Sequence, residues 1–571
     1  MQKKRAGPKR RRPGHTMTST DGTARRGAGT VRAALLALMA CTVPAGPGAA
    51  QAPLSANDWV AGTAPAPRTS SGWRPSDGVP PDAAQRRPPP ARPDSRKPAL
   101  NPDGTPVPTA PVAGNASAAP VTVTRLGQAD ADAAGLRSAR SAGLPVGLWD
   151  GATAAEVAQA IAGSAPRLPA TQDLFDRFLT AQLAVPARED LPDGSLLLAR
   201  VDRLLQMGNL PFARALLQSA GADDAGRFAR MFDLDMLTGE DLRACGALAR
   251  RPGLARDMAM RIYCLALNGD WGGAALTLEG AEPLGLVDPA TAALLARFLD
   301  DSYSDVADTL PAPETVTPLV FHLHEAVGQP LATGPLPLIF AWSDLGPNGG
   351  WKARLEAAER LGRAGVLPPA QLAAIYTEQR PAASGGVWDR VAALQALTAA
   401  MNAGDIEAVA AAVPPALARF GEAGLAPHLA RIVAAGLPEA PPDGDGADGI
   451  VTLRLLAGLP VDAPEGTLPQ LRWLVDVAAG NAHAGPAPND PQGRAAALAA
   501  GVDPALAGAA PQPGSGLPAL AATADVDAGL DGDVDRAARG LRRLSELGYA
   551  ATARQAAVEL MILPQLSRAA E

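Results

Sequence analysis

The chain has 571 residues, of which 47% are hydrophobic and only 4% are aromatic. Much of the hydrophobic share is alanine, which forms helices well and fills cores poorly, so the composition favours closely packed helices over a β-sandwich. The net charge of −7 is unevenly divided, because residues 1–52 carry +9 and leave −16 on the remainder. An acidic body repels phosphate backbones, and nucleic acid is therefore excluded as a partner.

An export signal is predicted over residues 1–52. A basic stretch ends at Arg32, an apolar run follows over 33–43, and small residues continue to Ala52. The apolar run suits a signal peptide and is too short to anchor the chain across a bilayer. Cleavage after Ala50 or Ala52, from a start at Met1 or Met17, would release the mature protein into the periplasm. We expect no transmembrane span after that cleavage.

An alternative involves Cys41. The residues Leu38-Met39-Ala40-Cys41 approximate a lipobox, in which the cysteine is lipidated and becomes the mature N-terminus. The small residues downstream of Cys41 favour ordinary cleavage. Both alternatives stay open at this point.

The mature chain divides into helical blocks and Pro-rich or Gly-rich spacers. Residues 53–120 contain 16 prolines and cannot bury enough apolar surface to fold, so 53–143 is predicted to be a disordered tether. The predicted order of the remaining segments is an α-solenoid over 144–437, a linker over 438–449, a helical segment over 450–480, a disordered linker over 481–532 and a helical hairpin over 533–571 that caps the end.

A repeat of helical hairpins carries the fold prediction. Turn glycines recur at Gly208, Gly239 and Gly269, and an alanine stands five positions after each, at Ala213, Ala244 and Ala274. Glycine ends the first helix in a left-handed conformation, and the small alanine lets the second helix pack closely. The same spacing recurs at Gly365 and Gly548 and, more weakly, at Gly404. The first three turn glycines are 31 and 30 residues apart. Helical hairpins that repeat at this interval predict an all-α fold, a solenoid that resembles tetratricopeptide repeats.

Three segments resemble parts of a known but uncharacterised family. They are Asn-Gly-Asp-Trp-Gly-Gly-Ala-Ala-Leu (268–276), Gly-Trp-Lys-Ala-Arg-Leu-Glu-Ala-Ala-Glu (350–359) and Arg-Pro-Ala-Ala-Ser-Gly-Gly-Val-Trp-Asp-Arg (380–390). The family consists of secreted, Ala-rich helical proteins of alphaproteobacteria, some labelled "antifreeze glycopeptide-related". The resemblance implies no activity. The chain also lacks the Ala-Ala-Thr tandem repeat that antifreeze glycopeptides need, so no ice binding follows.

Candidate chemical motifs are weak. His322 and His324 are two positions apart and point about 200° apart on a helix, so we expect a surface-facing helix and no shared metal. The Gly444–Gly449 stretch matches G-x-G-x-x-G literally, but no strand precedes it and its three aspartates would repel a pyrophosphate, which indicates a loop. The aspartates between Asp525 and Asp535 fail the EF-hand pattern and are expected to cap helices. We expect neither a cofactor nor a metal.

Two cysteines, Cys245 and Cys264, remain after signal cleavage. Cysteine pairs in an oxidising compartment tend to form disulfides. The turn at Arg251-Pro252-Gly253 makes their helices antiparallel neighbours. The alternative is two buried thiols. Their distances from the turn differ, so the bridge requires a few non-helical residues after Gly253.

The sequence thus predicts a periplasmic, non-catalytic helical-repeat protein that binds an envelope protein or peptide. Solenoids create extended concave surfaces, and the chain contains no G-x-S-x-G, Walker A or H-E-x-x-H motif. The alternatives are an outer-membrane lipoprotein scaffold with Cys41 lipidated, and an envelope hydrolase. The hydrolase alternative requires a deep pocket that collects two or more carboxylates.

Overall fold

The structure is a computed structural model that describes residues 130–188, 191–221, 224–300, 309–347, 349–444, 446–483, 485–490, 493–502, 504–506 and 508–568. The predicted signal peptide, Cys41 and the tether up to residue 129 lie outside these residues. The predicted tether boundary at 143 is wrong. Ala139 and Ala142 are buried, and the Asp132 carboxylate accepts hydrogen bonds from the backbone N–H groups of Gly194 and Leu197.

The all-α prediction is confirmed, since the described residues form helices and two strands of two residues each. The first helices are α1 (Ala154–Gly163), α2 (Pro169–Thr180), α3 (Ser195–Gln206), α4 (Leu210–Ala220), α5 (Ala225–Thr238), α6 (Asp241–Arg250), α7 (Met258–Leu267), α8 (Trp271–Ala281), α9 (Pro289–Leu299), α10 (Pro318–Ala326) and α11 (Ala341–Asp344). The later helices are α12 (Trp351–Arg363), α13 (Pro369–Thr377), α14 (Val387–Ala403), α15 (Ile406–Glu422), α16 (Ala426–Val433), α17 (Ala447–Leu456), α18 (Pro469–Ala479), α19 (Arg494–Gly501), α20 (Gly516–Asp527), α21 (Val534–Glu546) and α22 (Ala550–Arg568). The strands β1 (Arg137–Ser138) and β2 (Ala181–Gln182) pair in parallel.

The three predicted hairpins are confirmed as α3–α4, α5–α6 and α7–α8. Gly208, Gly239 and Gly269 stand at their turns with φ of 79°, 72° and 93°, the left-handed region that glycine adopts without strain. The alanine five positions after each turn glycine is buried, and each pair of helices packs together.

Of the two further glycines that share the full spacing, Gly548 keeps the register and Gly365 does not. Gly365 and Gly548 both turn between two helices with positive φ. Ala553 is fully buried after Gly548, whereas Ala370 is exposed after Gly365. At Gly365 the buried positions are instead Leu372 and Ile375, so a large residue takes the role that alanine has in the other hairpins.

A larger side chain at Ala274 tests the close packing of these hairpins. Ala274 is fully buried at the α7–α8 contact. We expect Ala274→Leu to overpack that contact and to lower the free energy of unfolding by about 1–3 kcal/mol. Chemical denaturation measures the change, and Ala275→Leu, one position away on a partly exposed face, is the control. An unchanged midpoint for Ala274→Leu would contradict the close packing.

The region 481–532 differs from its prediction as a disordered linker. Helices α19 and α20 occupy 494–501 and 516–527, and both pack against α21. Their buried faces consist mainly of small residues such as Ala495, Ala519 and Ala522. Close helix contacts through alanine leave little hydrophobic signal in the sequence, which is why composition alone indicated a linker.

The last helix, α22, lies inside the fold and is not the terminal cap that the sequence predicted. It contacts α2, near the start of the described residues, as well as α15, α17, α18 and α21. Repeats of an open solenoid contact only their neighbours. The chain instead closes on itself, because residues of the C-terminal helices satisfy backbone groups at the start of α2.

Two carboxylates make that closure. The N-cap residue of α2, Leu168, offers no side-chain cap. Asp527 of α20 accepts hydrogen bonds from the backbone N–H groups of Arg167 and Leu168, at 2.7 and 3.3 Å. Glu559 of α22 accepts one from the N–H of Ala170 at 2.9 Å. The free N–H groups of a helix start need such partners when they are buried.

Helices α5–α10 share a second hydrophobic core, and we call this part, residues 225–300 and 309–327, the side lobe. Its core includes Phe232, Tyr263, Cys245, Cys264 and Leu295. The main core extends over the rest of the described helices. In the part of the chain that the structure describes, no helix has both the length and the apolar character needed to cross a bilayer.

Candidate functional site

The predicted cysteine pair meets in the side lobe. Cys245 on α6 and Cys264 on α7 are at disulfide-bonding distance, with their Cα atoms 4.8 Å apart. A 3₁₀ turn over Pro252–Leu254 follows α6, and α7 begins only at Met258. These non-helical residues absorb the offset that the sequence indicated. Both cysteines are buried, which fits a structural role.

Loss of this disulfide should destabilise the protein. The bridge closes a loop of about 20 residues, which on the chain-entropy model stabilises the fold by about 3 kcal/mol. We expect the double variant Cys245→Ala/Cys264→Ala to unfold at a correspondingly lower denaturant concentration. Reductant should lower the denaturant concentration at which the wild type unfolds and should leave that of the variant unchanged. Peptide mapping without reductant is the direct measurement, and two alkylatable thiols in the native protein would contradict the bridge.

A cleft of about 690 Å³ opens on the side lobe. It is lined by the approach to α7, the α8–α9 turn, one face of α9, the segment 310–317 and α10. Most lining side chains are apolar, and they are Ala259, Leu286, Val287, Ala290, Ala293, Leu294, Leu310, Pro311, Ala312, Pro313, Leu319 and Val320. A hydrogen bond from the N–H of Leu310 to the side-chain oxygen of Gln329 ties the segment to the end of α10.

The polar groups of the cleft are mainly acidic. Asp257, Asp288 and Glu314 line it, and among the described lining residues Arg256 is the one permanent cation. Arg256 lies 3.0 Å from the carboxylates of both Asp233 and Asp257, which offset its charge. The cleft therefore carries a net negative charge on a mainly apolar surface. That combination suits an apolar ligand with a positive group.

Two of the three carboxylates of the cleft serve as helix caps. Asp257 caps α7 by accepting from the N–H of Met260, and Asp288 caps α9 by accepting from the N–H of Thr291. Partial burial disfavours the charge of Asp288, but the hydrogen bonds from Thr291 outweigh it and lower the pKa of Asp288. A general acid needs the opposite shift.

Helix α10 separates the two histidines and is not the surface helix that the sequence predicted. His322 lies 3.8 Å from the carboxylate of Asp241, which also accepts from the Tyr263 hydroxyl at 3.1 Å. His324 is 4% exposed, lines the cleft, and has a buried Nδ1 without a hydrogen-bond partner. Burial lowers the pKa of both imidazoles. Leu319, Phe321 and Leu323 are buried as well, so nearly the whole circumference of α10 is covered.

Large apolar side chains are exposed on the side lobe, and one of them, Leu286, lines the cleft. Leu276 on α8 is 71% exposed, and Leu284 and Leu286 in the α8–α9 turn are 72% and 53% exposed. Trp271, at the start of α8, is 48% exposed and stacks against Phe298. Clustered apolar exposure of this kind marks an interaction surface.

The other candidate motifs have structural roles. Gly444 lies outside any helix, 447–449 form the first turn of α17, and no strand precedes them among the residues that the structure describes. Asp533 caps α21, as predicted, and Asp531 pairs with Arg167. Asp527 is buried and caps α2 instead of lying in a solvated loop. In the described part of the chain no three His, Cys, Asp or Glu side chains form a group that could hold a metal ion.

Two of the three segments that carry the family resemblance, 350–359 and 380–390, meet in space. Trp351 and Trp388 pack against each other with ring centroids 5.1 Å apart and their planes tilted by 53°. Glu359, which is 4% exposed at its side chain, accepts two hydrogen bonds from Arg390 at 2.7 and 2.6 Å and one from the Tyr376 hydroxyl at 2.7 Å. These residues join α12, α13 and α14. In these two segments the tryptophans, Glu359 and Arg390 hold three helices together.

The buried carboxylate of Glu559 makes the stability depend on pH. Burial raises its pKa to about 8, whereas it titrates at its ordinary value in the unfolded chain. Between those values the folded state holds a proton that the unfolded state has lost, so stability falls as pH rises, by at most about 1.4 kcal/mol per pH unit. We expect Glu559→Gln to be more stable relative to wild type at pH 8 than at pH 5. Urea unfolding at both pH values measures this, and parallel pH profiles would contradict it.

Comparisons with known proteins add no family. No protein-family model, no curated protein and no solved structure matches the chain. The fold and the cleft therefore define the protein as an all-α, Ala-rich protein with a disulfide-distance cysteine pair and an acidic apolar cleft on its side lobe. The sequence did not indicate the cleft, although Leu284-Gly285-Leu286 between acidic residues was a signal for it.

Proposed function

We propose that this protein is a periplasmic, non-catalytic scaffold that binds a partner protein through the side lobe. The observation that carries the proposal is the cleft with exposed leucines at its rim. Leu286 both lines the cleft and is 53% exposed, so the apolar surface continues from the cleft onto the outside of the lobe. A continuous exposed apolar surface of this kind is typical of a site that binds another protein.

Export is the part of this proposal that rests on the sequence. The signal peptide over 1–52 supports it, and the Cys245–Cys264 pair suits an oxidising compartment. N-terminal sequencing of the protein from the periplasmic fraction should give a start at Gln51 or Pro53. A lipid-modified Cys41, detected by palmitate incorporation that Cys41→Ala abolishes, would instead make the protein an outer-membrane lipoprotein.

Site-specific crosslinking in the cell tests the binding role. A photoreactive residue at position 286 should capture the same polypeptide as one at position 276. The control is position 468, where Leu468 is 56% exposed outside the side lobe. Mass spectrometry then identifies the partner and the crosslinked segment. Equal capture at 286 and 468, or none at 286, would end the proposal.

A second candidate, an envelope hydrolase, is favoured by one feature of α2. Asp173 and Asp176 lie one turn apart, and burial together with the Asp173 charge raises the pKa of Asp176 to about 7. A carboxyl group that titrates near neutral pH suits general acid catalysis. Purified peptidoglycan should then be cleared by the wild type and not by Asp176→Asn. No clearing by the wild type would remove this candidate.

A further inference from the structure

The surface around the cleft is acidic over a long stretch of chain. Between Arg261 and Arg297 the sequence contains no lysine or arginine and four acidic residues, Asp270, Glu279, Glu282 and Asp288. These 35 residues form most of α7, all of α8, the α8–α9 turn and most of α9. The exposed leucines lie within the same stretch. We call Leu276, Leu284 and Leu286, with Glu279, Glu282, Asp288 and Glu314 around them, the acidic apolar face.

Two glycines on α8 leave this face open. Gly272, Leu276 and Gly280 are spaced four residues apart and are all exposed, so they share one side of the helix. A Cβ atom at Gly272 or at Gly280 would meet nothing within 4 Å. No neighbour in the described chain therefore requires glycine there. An exposed glycine inside a helix costs about 1 kcal/mol relative to alanine, but it allows another helix to approach closely.

We propose that the acidic apolar face binds a basic amphipathic helix of the partner protein. This inference rests on the proposed function and names the chemistry of the segment that the side lobe takes. The leucines supply the apolar contact, the glycines allow the close approach, and the carboxylates attract lysine and arginine side chains at its edges. An anionic lipid surface or an acidic segment would be repelled.

Model peptides test the chemistry on the full exported chain. The probe is a fluorescent peptide of about 14 residues with leucine at positions i, i+3, i+4 and i+7 and lysine elsewhere. Two control peptides keep its length, one with glutamate in place of lysine and one with the leucines scrambled off a single face. The lysine peptide should bind, with an affinity that falls as salt increases. Both controls should bind at least about tenfold more weakly, a difference of about 1.4 kcal/mol.

Surface variants locate the binding. Leu284→Ser/Leu286→Ser should lower the affinity for the lysine peptide by at least about tenfold. Leu468→Ser, at a leucine of similar exposure, should leave that affinity unchanged. The double variant Asp288→Asn/Glu282→Gln should lower the affinity for the lysine peptide by a smaller factor, and that affinity should then depend less on salt concentration. Asparagine keeps the cap on α9, so this variant changes charge and not the helix start.

The outcomes separate this inference from the proposed function. Capture of a partner at position 286 through an acidic or uncharged segment would overturn the basic helix and leave the scaffold standing. Equal binding of the lysine and glutamate peptides would also overturn the basic helix. So would binding that is unchanged in the Leu284→Ser/Leu286→Ser variant. Specific capture through a basic segment, together with the expected peptide series, would support both. Absence of specific capture at 286 would overturn the scaffold itself.

Discussion

Arg390→Met should lower the free energy of unfolding by about 3–5 kcal/mol, because it leaves the buried carboxylate of Glu359 without its main partner. Arg390 donates two hydrogen bonds to Glu359, and their side chains are 15% and 4% exposed. Methionine fills the space of the aliphatic part of arginine and removes only the guanidinium. The loss of stability therefore comes from the Glu359 carboxylate, which stays buried without its cationic partner. Chemical denaturation of the full chain measures it.

A matched control exists on the same carboxylate. Arg363 lies 3.7 Å from Glu359, but its side chain is 45% exposed. Exposed ion pairs contribute about 0–1 kcal/mol, so Arg363→Met should change the stability little. The double variant Glu359→Gln/Arg390→Met should recover part of the lost stability, because a glutamine amide leaves no buried charge without a partner. Equal effects of Arg390→Met and Arg363→Met would contradict the role assigned to the buried pair.

The sequence predicts those parts of the fold that are local. The hairpins at Gly208, Gly239 and Gly269 each follow from a left-handed glycine and a small residue five positions after it. The cysteine pair follows from two neighbouring helices and a short turn between them. The capping box at the start of α1 is local in the same sense, because Thr153 and Glu156, three positions apart, exchange hydrogen bonds.

The parts that the sequence missed depend on distant residues. Gly516 at the start of α20 has no side chain because a Cβ there would lie 2.3 Å from the Trp149 ring, a contact that no local pattern reveals. The cleft likewise combines residues from 256 to 324 on several elements. No motif in the sequence marks its carboxylates, and the sequence predicts His324 on a surface-facing helix. Only the packing of α10 against the lobe places them together.

Closure of the chain on α2 is the largest such departure, and Asp527→Ala tests it. Asp527 is 5% exposed and accepts three hydrogen bonds, from the N–H groups of Arg167 and Leu168 and, at 3.0 Å, from the Thr171 hydroxyl. Alanine would leave the buried N–H of Leu168 and the partly buried N–H of Arg167 without this partner, whereas the Thr171 hydroxyl keeps its hydrogen bond to the Leu168 carbonyl. Each such group costs about 1–3 kcal/mol, and relaxation offsets part of the sum, so we expect a loss of about 3–4 kcal/mol.

The nearby Asp525 provides the control for this prediction. It pairs with Arg536 at 2.7 Å, and both side chains are well exposed, so Asp525→Ala should cost less than about 1 kcal/mol. Hydrogen exchange then distinguishes the two architectures. In a closed fold, Asp527→Ala accelerates exchange in α2, more than 340 positions earlier in the chain. In an open solenoid with α21 and α22 as a terminal cap, the acceleration would stay within the C-terminal helices, and α2 would exchange as in the wild type.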